Sequence, residues 1–536
     1  MFFSDPKTPE NWQLLPISEV AEVNPKFDKR NIEDDLEISF VPMSAVEAET
    51  GGVDVSGLRR FAEVKKGYTG FLEGDVLFAK ITPCMENGKM AVVPTLKNGV
   101  GFGSTEFHVL RPKLSIDVKF LYYYVSSKQV RFDAEHNMSG AVGQKRVPTS
   151  YIADYQIPVP PIDQQKRIVA KIEELFSELD SGIASLKTAR EQLKVYRQAV
   201  LKHAFEGKLT AQWRKDNPDK LETPEQLLTR IQQERETRYQ QQLNDWKQAV
   251  KDWGEKGKEG RRPTKPSAYK SLEPISEEEI SMLPQLPLGW SYVRLAEIAF
   301  IGSGMSVSKN RKLDEPVEVA YLRVANVQRG LLDLTEIKTM QVERNSLPNF
   351  LLQKWDILFN EGGDRDKLGR GWVWESQVEP CITQNHVFRA SPYVRSPQHS
   401  KFISHWGNSF GQDYFEKVGK QTTNLASINK TVLSNFPIPL PSFKEQQKII
   451  SLLDDTMSRI DFFETEIERG ILRAETLRQS IFKKAFSGQL VGQDPNDEPA
   501  SELLARIQAE KASSIKVSVT ATPHSQSFSD AIVYPF

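Results

Sequence analysis

Two long stretches of the chain place apolar residues three or four positions apart, with charged and polar residues between them. In each stretch nine steps cover 32 residues, or about 3.6 residues per step, which predicts an amphipathic α-helix. The first stripe is Ile168, Ile172, Leu175, Leu179, Ile183, Leu186, Ala189, Leu193, Tyr196 and Val200, and the second is Ile449, Leu453, Met457, Ile460, Phe463, Ile467, Ile471, Ala474, Leu477 and Ile481.

Proline and glycine mark the predicted ends of both helices. Pro158-Val-Pro160-Pro161 precedes the first, Pro437-Ile-Pro439-Leu-Pro441 precedes the second, and Gly207 and Gly488 follow them. Each helix is then about 40 residues and about 60 Å long. Because one narrow apolar seam needs a partner, we expect the two helices to form an antiparallel coiled coil. Alternatively, each stripe packs on the module upstream of it.

The chain also repeats itself. Asp163-Gln-Gln-Lys-Arg-Ile168 returns as Glu445-Gln-Gln-Lys-Ile-Ile450, and Ala204-Phe-Glu-Gly-Lys-Leu209 returns as Ala485-Phe-Ser-Gly-Gln-Leu490, at offsets of about 282 and 281. A fainter match joins Trp12 to Trp290. A repeat of this kind decides architecture more strongly than local propensity, and it predicts two copies of a divergent module followed by a similar helical module.

The divergent modules, about residues 10–157 and 288–436, have a mixed pattern. Short apolar runs bounded by glycine, proline and asparagine, such as Asp75–Ala79 and Asp356–Phe359, predict strands. Helical patches at Phe120–Arg131 and Phe402–Phe415 interrupt them. The fold class is therefore α+β, with two mixed α/β domains separated by the two long helices in a pseudo-two-fold repeat.

Composition adds few constraints. The 70 basic and 71 acidic residues give a net charge of −1, so any anionic partner must be met by local patches. Two cysteines, Cys84 and Cys381, are too few for a disulfide framework and fit a reducing cytoplasm. No run of 18 apolar residues and no apolar N-terminal stretch is present, so we expect neither membrane insertion nor export.

No catalytic or metal-binding constellation stands out in the sequence. There is no phosphate-binding Gly-x-x-x-x-Gly-Lys-Ser/Thr loop, and the seven histidines form no His-x-x-x-His pair. The repeat assigns equivalent places to His108 and His386, which are expected to be structural. The acidic loop from Glu361 to Lys367 is more typical of a solvated turn than of a metal site.

Both divergent modules carry two polar loops in matching positions. Such loops suit DNA, because asparagine and glutamine pair with adenine, arginine and lysine pair with guanine, and glycine-rich turns hold phosphate. Their different residues in the two copies are what two readers of different sequences would show. The candidate DNA-binding residues are Lys80, Thr82, Asn87, Lys89, Gln144, Lys145 and Arg146 in the first copy, and Asn360, Arg365, Lys367, Arg370, Lys420, Gln421, Thr422, Thr423, Asn424, Asn429 and Lys430 in the second.

The pattern resembles the specificity (S) subunit of type I restriction-modification systems. The resemblance rests on the proline-rich lead-in with Gln-Gln-Lys, the Ala-Phe-x-Gly-x-Leu turn and the run from Leu209 to Pro218, and it spans about Trp12 to Lys511. It implies two target-recognition domains that each read half of an asymmetric bipartite site in double-stranded DNA, with the helices as a ruler. It also implies two methyltransferase (M) subunits and restriction/translocase (R) subunits as partners. S-adenosylmethionine, ATP and Mg would belong to those partners, and this chain would hold no cofactor, metal or catalytic residue.

On this interpretation the first recognition domain covers residues 1–157 and the second 287–436. The conserved helical regions cover 158–250 and 437–512, a charged, solvated linker covers 251–286, and a loosely ordered tail covers 513–536. A helical pattern at Glu225–Val250 makes the first helical region longer than the second. Two other hypotheses remain: a coiled-coil adaptor that binds only proteins, and a self-contained nuclease or methyltransferase.

Overall fold

The chain divides into two units, each holding one divergent module and part of both long helices. Unit 1 is Met1–Lys187 with Ile467–Phe536, and unit 2 is Thr188–Glu466. The computed structural model describes residues 9–141, 143–255, 257–258, 262–306, 313–363, 367–418, 420–421, 426–502 and 504–505. The predicted tail, 513–536, lies outside the described residues. Among the described residues, no helix has both the length and the apolar character that crossing a membrane requires.

Unit 1 contains two four-stranded sheets and a two-stranded ribbon. One sheet is antiparallel throughout, in the order Ala21–Val23, Phe107–Pro112, Val76–Ala79 and Met90–Val92. The other runs Leu58–Arg60, Glu37–Val41, Val100–Gly103 and Thr69–Leu72, with its central pair parallel. The ribbon pairs Gln13–Pro16 with Gln156–Val159. The helices are Ile17–Val20, Phe61–Val64, Val118–Ser126, Lys128–His136 and Thr149–Asp154, with 3-10 turns at Met43–Ala45 and Lys97–Gly99.

Unit 2 repeats this plan. Its four-stranded sheet has the order Ala299–Gly302, Val387–Pro392, Ile357–Asn360 and Gly371–Val373, and its three-stranded sheet the order Lys338–Glu343, Pro316–Leu322 and Cys381–Thr383. The ribbon pairs Ser291–Arg294 with Pro437–Leu440. Short pairs join Val327–Gln328 to Leu331–Leu332, and Gly362–Gly363 to Ala426–Ser427 to Lys420–Gln421. The helices are Ala211–Asp216, Pro224–Glu255, Glu277–Ser281, Leu295–Ile298, Pro397–Ser409, Gly411–Val418 and Lys430–Ser434, with 3-10 turns at Pro218–Lys220 and Leu347–Asn349.

The predicted helical patches are each two helices. Ser127 ends one helix in an extended conformation and accepts the Val130 N–H as the N-cap of the next. In unit 2 the break falls at Phe410. Both breaks interrupt a pattern that reads as continuous in the sequence.

The two long helices are Ile162–Phe205 and Phe443–Phe486, 44 residues each, which confirms the prediction. They pair antiparallel within each unit. In unit 1 the rings of Phe176 and Phe482 are 5.1 Å apart, and in unit 2 Arg197 bonds the carboxylates of Asp461 and Glu464.

The alternative packing is also partly right, because some residues of each apolar stripe pack against a module and not against the other helix. Ile168 and Ile172 lie in the core of the unit 1 module with Trp12, and Ile449 and Leu453 lie in the core of the unit 2 module. Not every stripe residue is in the seam. Tyr196, Phe463 and Leu477 are 52%, 53% and 50% exposed, so the helical period alone overestimates the buried face.

A buried pair of side chains joins each module to the start of a long helix. In unit 1 the Trp12 indole donates to Gln164 at 3.0 Å, and in unit 2 the Trp290 indole donates to Glu445 at 3.0 Å. Gln164 therefore corresponds to Glu445 in the structure. The literal Gln-Gln-Lys match, which aligns Gln164 with Gln446, is out of register by one position.

The next residue has the same task in both copies. Gln165 donates to the Pro160 carbonyl at 2.9 Å, and Gln446 donates to the Pro441 carbonyl at 2.9 Å. Proline cannot donate, and the first turn of a helix leaves backbone groups unpaired. Each glutamine thus fixes the proline-rich lead-in against the helix it precedes.

The segment after each long helix returns to the start of the other one. Gly207 (φ 66°) and Gly488 (φ 75°) turn the chain in the left-handed conformation that favours glycine. In unit 2, Thr210 and Arg214 then bond Glu445, at 2.7 and 3.0 Å.

The same arrangement in unit 1 has the opposite charges. There Asp497, after the second helix, accepts two hydrogen bonds from Arg167, near the start of the first. Each unit therefore has an ion pair between the start of one long helix and the segment that follows the other, with the acid at the third helix residue in unit 2 and the base at the sixth in unit 1.

Parts of the predicted solvated linker contact the rest of unit 2, while most of its described residues are exposed. The helix before it extends to Glu255, and the Trp246 indole donates to the Pro263 carbonyl at 3.1 Å. The Arg235 guanidinium lies 3.5 Å from the centre of the Tyr269 ring. Arg294 donates to the carbonyls of Glu273 and Pro274. Arginine stacking and backbone contacts thus fix parts of a segment that is otherwise largely exposed to solvent.

Removing the acceptor at Glu445 should destabilise unit 2. Glu445→Ala leaves the Trp290, Thr210 and Arg214 donors without it, and we expect a loss of about 3–5 kcal/mol in the free energy of unfolding. Glu445→Gln keeps an amide oxygen, as Gln164 does, and should cost less, about 1–2 kcal/mol. Urea unfolding monitored by tryptophan fluorescence measures both. Exposed Glu475→Ala is the control; an equal effect of Glu445→Ala and Glu475→Ala would contradict the assignment.

Acid should weaken unit 2 through His399. Its ring is buried beside Gln446, 2.8 Å from Oε1, and burial lowers the pKa of His399 to about 4. An unfolded histidine titrates near 6.5, so between these values the unfolded chain binds more protons. The contribution is complete above about pH 6.5 and is lost as the pH falls towards 4. The urea midpoint should fall across this range, and less steeply in His399→Gln than in the exposed control His203→Gln.

Candidate nucleic-acid interface

In unit 1 the two polar loops meet edge to edge. The Thr82 amide donates to the Lys145 carbonyl at 3.0 Å, and the Val147 amide donates to the Lys80 carbonyl at 2.9 Å. A β-bridge joins Ile81 to Arg146. Backbone hydrogen bonds therefore bring together two loops that lie far apart in the sequence. We call this the unit 1 loop junction.

Unit 2 has the equivalent unit 2 loop junction. The Ile428 amide donates to the Glu361 carbonyl at 2.8 Å, and these two residues correspond to Val147 and Lys80. Gly362–Gly363 pairs with Ala426–Ser427 beside it. The backbone frame is thus shared by the two modules, whereas the residues on it differ.

The first loop of unit 1 carries candidates in different environments. Asn87 is exposed, and Lys80 is partly buried. The Thr82 hydroxyl donates to the Glu86 carboxylate. The Lys89 ammonium donates to the carbonyls of Met43 and Val46, at 3.1 and 2.8 Å. Lys89 is therefore engaged in holding its loop to a neighbouring turn, which sequence spacing does not reveal.

The second loop of unit 1 presents Gln144 and Lys145 to solvent. Arg146 is tied to Glu106 in a bidentate ion pair, with Nε–Oε2 and Nη2–Oε1 distances of 2.9 and 2.8 Å. This guanidinium holds the pKa of Glu106 below its ordinary value. Glu106 was not among the predicted site residues. Its one signal in the sequence is an acidic residue just before the strand Phe107–Pro112, at the end of the strand where the loops meet.

His108 anchors the unit 1 loop junction from inside. Its ring is 2% exposed, with Nε2 2.8 Å from the Val147 carbonyl and Nδ1 3.0 Å from the Asn24 amide. The burial lowers its pKa. A structural role fits the prediction, but the proposed match with His386 is wrong, because strand pairing aligns His108 with Phe388.

His386 instead takes the place of Glu106. Its Nδ1 lies 2.7 Å from Glu361 Oε2, with the imidazole 56% exposed. Each loop junction therefore has a carboxylate paired with a basic group, from different residues in the two copies. Among the described residues, no group of three or more histidine, cysteine, aspartate or glutamate side chains could hold a metal ion.

Asn360 is buried. Its amide donates to the Val327 carbonyl at 2.8 Å and to Val324 at 3.3 Å, and the side chain is inaccessible to solvent. Asn360 therefore has no exposed group that could contact a base. The strand Ile357–Asn360 extends one residue further than the sequence suggests and takes Asn360 into the sheet.

The remaining candidates of unit 2 lie on or near its loop junction. Arg370 donates to Gln328 at 3.0 Å, and Lys367 is partly buried. Asn429 accepts the Val432 amide as an N-cap, and Lys430 is exposed, 5.6 Å from the centre of the Phe300 ring. Lys420 and Gln421 form a short strand, described by its backbone alone. Arg365, Thr422, Thr423 and Asn424 lie outside the described residues.

Exposed amides and cations on a rigid backbone frame can contact both base edges and phosphates. The basic residues of unit 1 are not equivalent in this respect. Lys145 is an exposed cation, whereas the charge of Arg146 is already balanced by Glu106. The unit 1 loop junction therefore offers one group suited to phosphate and another suited to a neutral hydrogen-bonding edge.

Comparison with known proteins gives a consistent result. The family model described as the type I restriction modification DNA specificity domain matches residues 9–191 and 287–472. The EcoEI specificity subunit of Escherichia coli is 28% identical over 507 residues, covering 86% of this chain and 80% of that one. The EcoKI specificity subunit of Escherichia coli (strain K12) is 24% identical, covering 95% and 97%.

Solved structures share the fold. The HsdS subunit from Thermoanaerobacter tengcongensis superposes with a TM-score of 0.54 at 18% identity, covering 91% of this chain and all of that one. A chain from a solved type I R-M system gives a TM-score of 0.60 at 19% identity, covering 90% and 100%. Because two copies of the domain match over more than half of the sequence, the chain belongs to the type I restriction-modification DNA specificity family, as a specificity subunit and not a catalytic one.

Proposed function

We propose that this chain reads an asymmetric, bipartite DNA site, with one half-site contacted by each loop junction. The observation that carries the proposal is the shared backbone frame. Equivalent hydrogen bonds, from Val147 to Lys80 and from Ile428 to Glu361, hold loops whose side chains differ. A frame that repeats while its exposed residues change suits two readers of different base sequences.

The long helices support a fixed gap between the half-sites. Each has 44 residues and continues from one unit into the other, and at 1.5 Å per residue each is about 66 Å long. Half-sites that lie one to two turns of DNA apart are separated by about 34 Å for each turn. Helices on this scale can therefore act as a ruler.

We further propose that the helices scaffold two M subunits and that R subunits join the complex. Support comes from exposed apolar side chains on the second long helix, where the rings of Phe462 and Phe463 lie 5.8 Å apart and are 60% and 53% exposed, because clustered exposed apolar residues mark contact surfaces. S-adenosylmethionine, ATP and Mg would be held by those partners. Because its substrate is chromosomal DNA, the complex would work in the cytoplasm.

The recognised sequence should be a bipartite motif. The chain would be co-expressed with a methyltransferase subunit encoded beside it, and modified adenines in the host genome would be mapped by single-molecule sequencing. We expect a motif with two short specified halves around a fixed unspecified gap. A continuous motif would mean that one module alone reads DNA. A soluble, assembled complex without methylation would favour the protein-only adaptor.

Lys145 and Lys430 should contribute phosphate contacts, one in each module. We expect Lys145→Ala and Lys430→Ala to weaken the methyltransferase complex on all DNA sequences alike, and each to make the salt dependence shallower by about one unit of log–log slope. Fluorescence anisotropy with a labelled duplex at several salt concentrations measures both effects. Lys66→Ala, at an exposed turn of unit 1, is the control. An adaptor that ignores DNA would show no change in either variant.

A further inference from the structure

The arginine in the unit 1 loop junction, Arg146, is held both by its backbone and by its side chain. Its amide donates to the Ser139 carbonyl at 2.8 Å, and its carbonyl accepts from the Ser139 amide at 2.9 Å. The side chain is fixed by Glu106 and by the Gln144 carbonyl, which accepts from Nη1 at 2.9 Å. A guanidinium fixed in this way loses little rotamer freedom when a ligand binds.

Glu106 is also fixed. Its amide donates to the Ser104 hydroxyl at 3.2 Å, and its carbonyl accepts the Lys80 amide at 2.9 Å. The carboxylate is 25% exposed and the Arg146 side chain 42% exposed. The pair is therefore built into the loop junction, with the arginine as its solvent-facing member.

The donors that remain on Arg146 define what it can bind. A guanidinium has five N–H groups, and three are bonded in the part of the chain that the structure describes: Nε, one on Nη2 and one on Nη1. One N–H on each Nη atom is left. Two donors on adjacent nitrogens of this fork match the O6 and N7 acceptors of guanine in the major groove.

Glu106 makes phosphate a poor competitor for this end of the arginine. Its negative charge balances the guanidinium and repels a second anion, whereas the guanine edge is neutral. Lys145, adjacent and exposed, remains available for the backbone. Resting on the proposed function, we infer that Arg146, oriented by Glu106, reads a guanine in the half-site of the first module.

Unit 2 lacks this device at the corresponding positions. The carbonyl of His386 accepts the Glu361 amide, just as the carbonyl of Glu106 accepts the Lys80 amide, and the imidazole bonds the Glu361 carboxylate. Ser427, which precedes Ile428 as Arg146 precedes Val147, has no guanidinium. At these positions, therefore, the guanidinium belongs to the first module alone, with Arg146 as a specificity-determining residue and Glu106 as a positioning residue.

Substitution of the pair should change one base of the motif. In the assembled complex, Arg146→Ala removes the guanidinium fork, and Glu106→Gln loses the ionic support. We expect the preference for guanine at one position to fall on the order of ten- to a hundredfold in Arg146→Ala, less in Glu106→Gln, with the other half-site unchanged. Arg30→Ala is a matched control, since Arg30 makes the same bidentate pair with Asp28.

Chemical substitution in the DNA tests the contact directly. A duplex with 7-deazaguanine at the affected position lacks the N7 acceptor. It should weaken DNA binding by the wild-type complex and leave binding by the Arg146→Ala complex unchanged. A motif that keeps its guanine preference in both variants would overturn the inference alone. So would loss of all methylation in folded variant complexes, which would make the pair purely structural. A wild-type complex without a motif would overturn the proposed function as well.

Discussion

The architecture depends on how a recognition module is joined to the first turn of a long helix. An indole N–H reaches a side chain at the third residue of the helix, and the following glutamine holds the proline carbonyl just before it. These groups are buried, so each loses water that protein partners must replace, at about 1–3 kcal/mol if left unpaired. The geometry therefore tolerates little slippage, and a module keeps a defined place on its helix.

Within each module, folding and recognition are carried by different atoms. Backbone hydrogen bonds such as Val147 to Lys80 and Ile428 to Glu361 hold the two loops together. They use groups that every residue except proline supplies. The loop side chains can therefore change with little effect on the frame, provided that buried anchors such as His108 and Asn360 remain. Variation of the exposed residues and constancy of the fold are then compatible in one domain.

The sequence predicts the long-range order of this protein better than its contacts. Proline lead-ins, glycine ends and an apolar period sustained over 32 residues identify the long helices, because each signal depends on local geometry alone. The Gln-Gln-Lys match is out of register by one position, because the repeated residue types do not occupy equivalent buried positions in the two helices. The partners of Lys89 and Arg146 are distant in the sequence, and no local pattern encodes them. Tyr196 and Phe463 keep the helical period yet remain half exposed. The period identifies one face of a helix but not the residues that pack against it.

The ion pairs between the start of one long helix and the segment after the other distinguish the two halves of the chain. Arg214 meets Glu445 in one unit, and Asp497 meets Arg167 in the other. In the shared register Glu445 corresponds to Gln164, so a returning segment that docked on the start of its own helix would bring Arg214 to an uncharged amide. The buried Glu445 carboxylate would then lose its ion-pair partner, which is unfavourable. The two helical starts thus differ in charge at equivalent positions, which favours the correct topology over a mispaired one during folding.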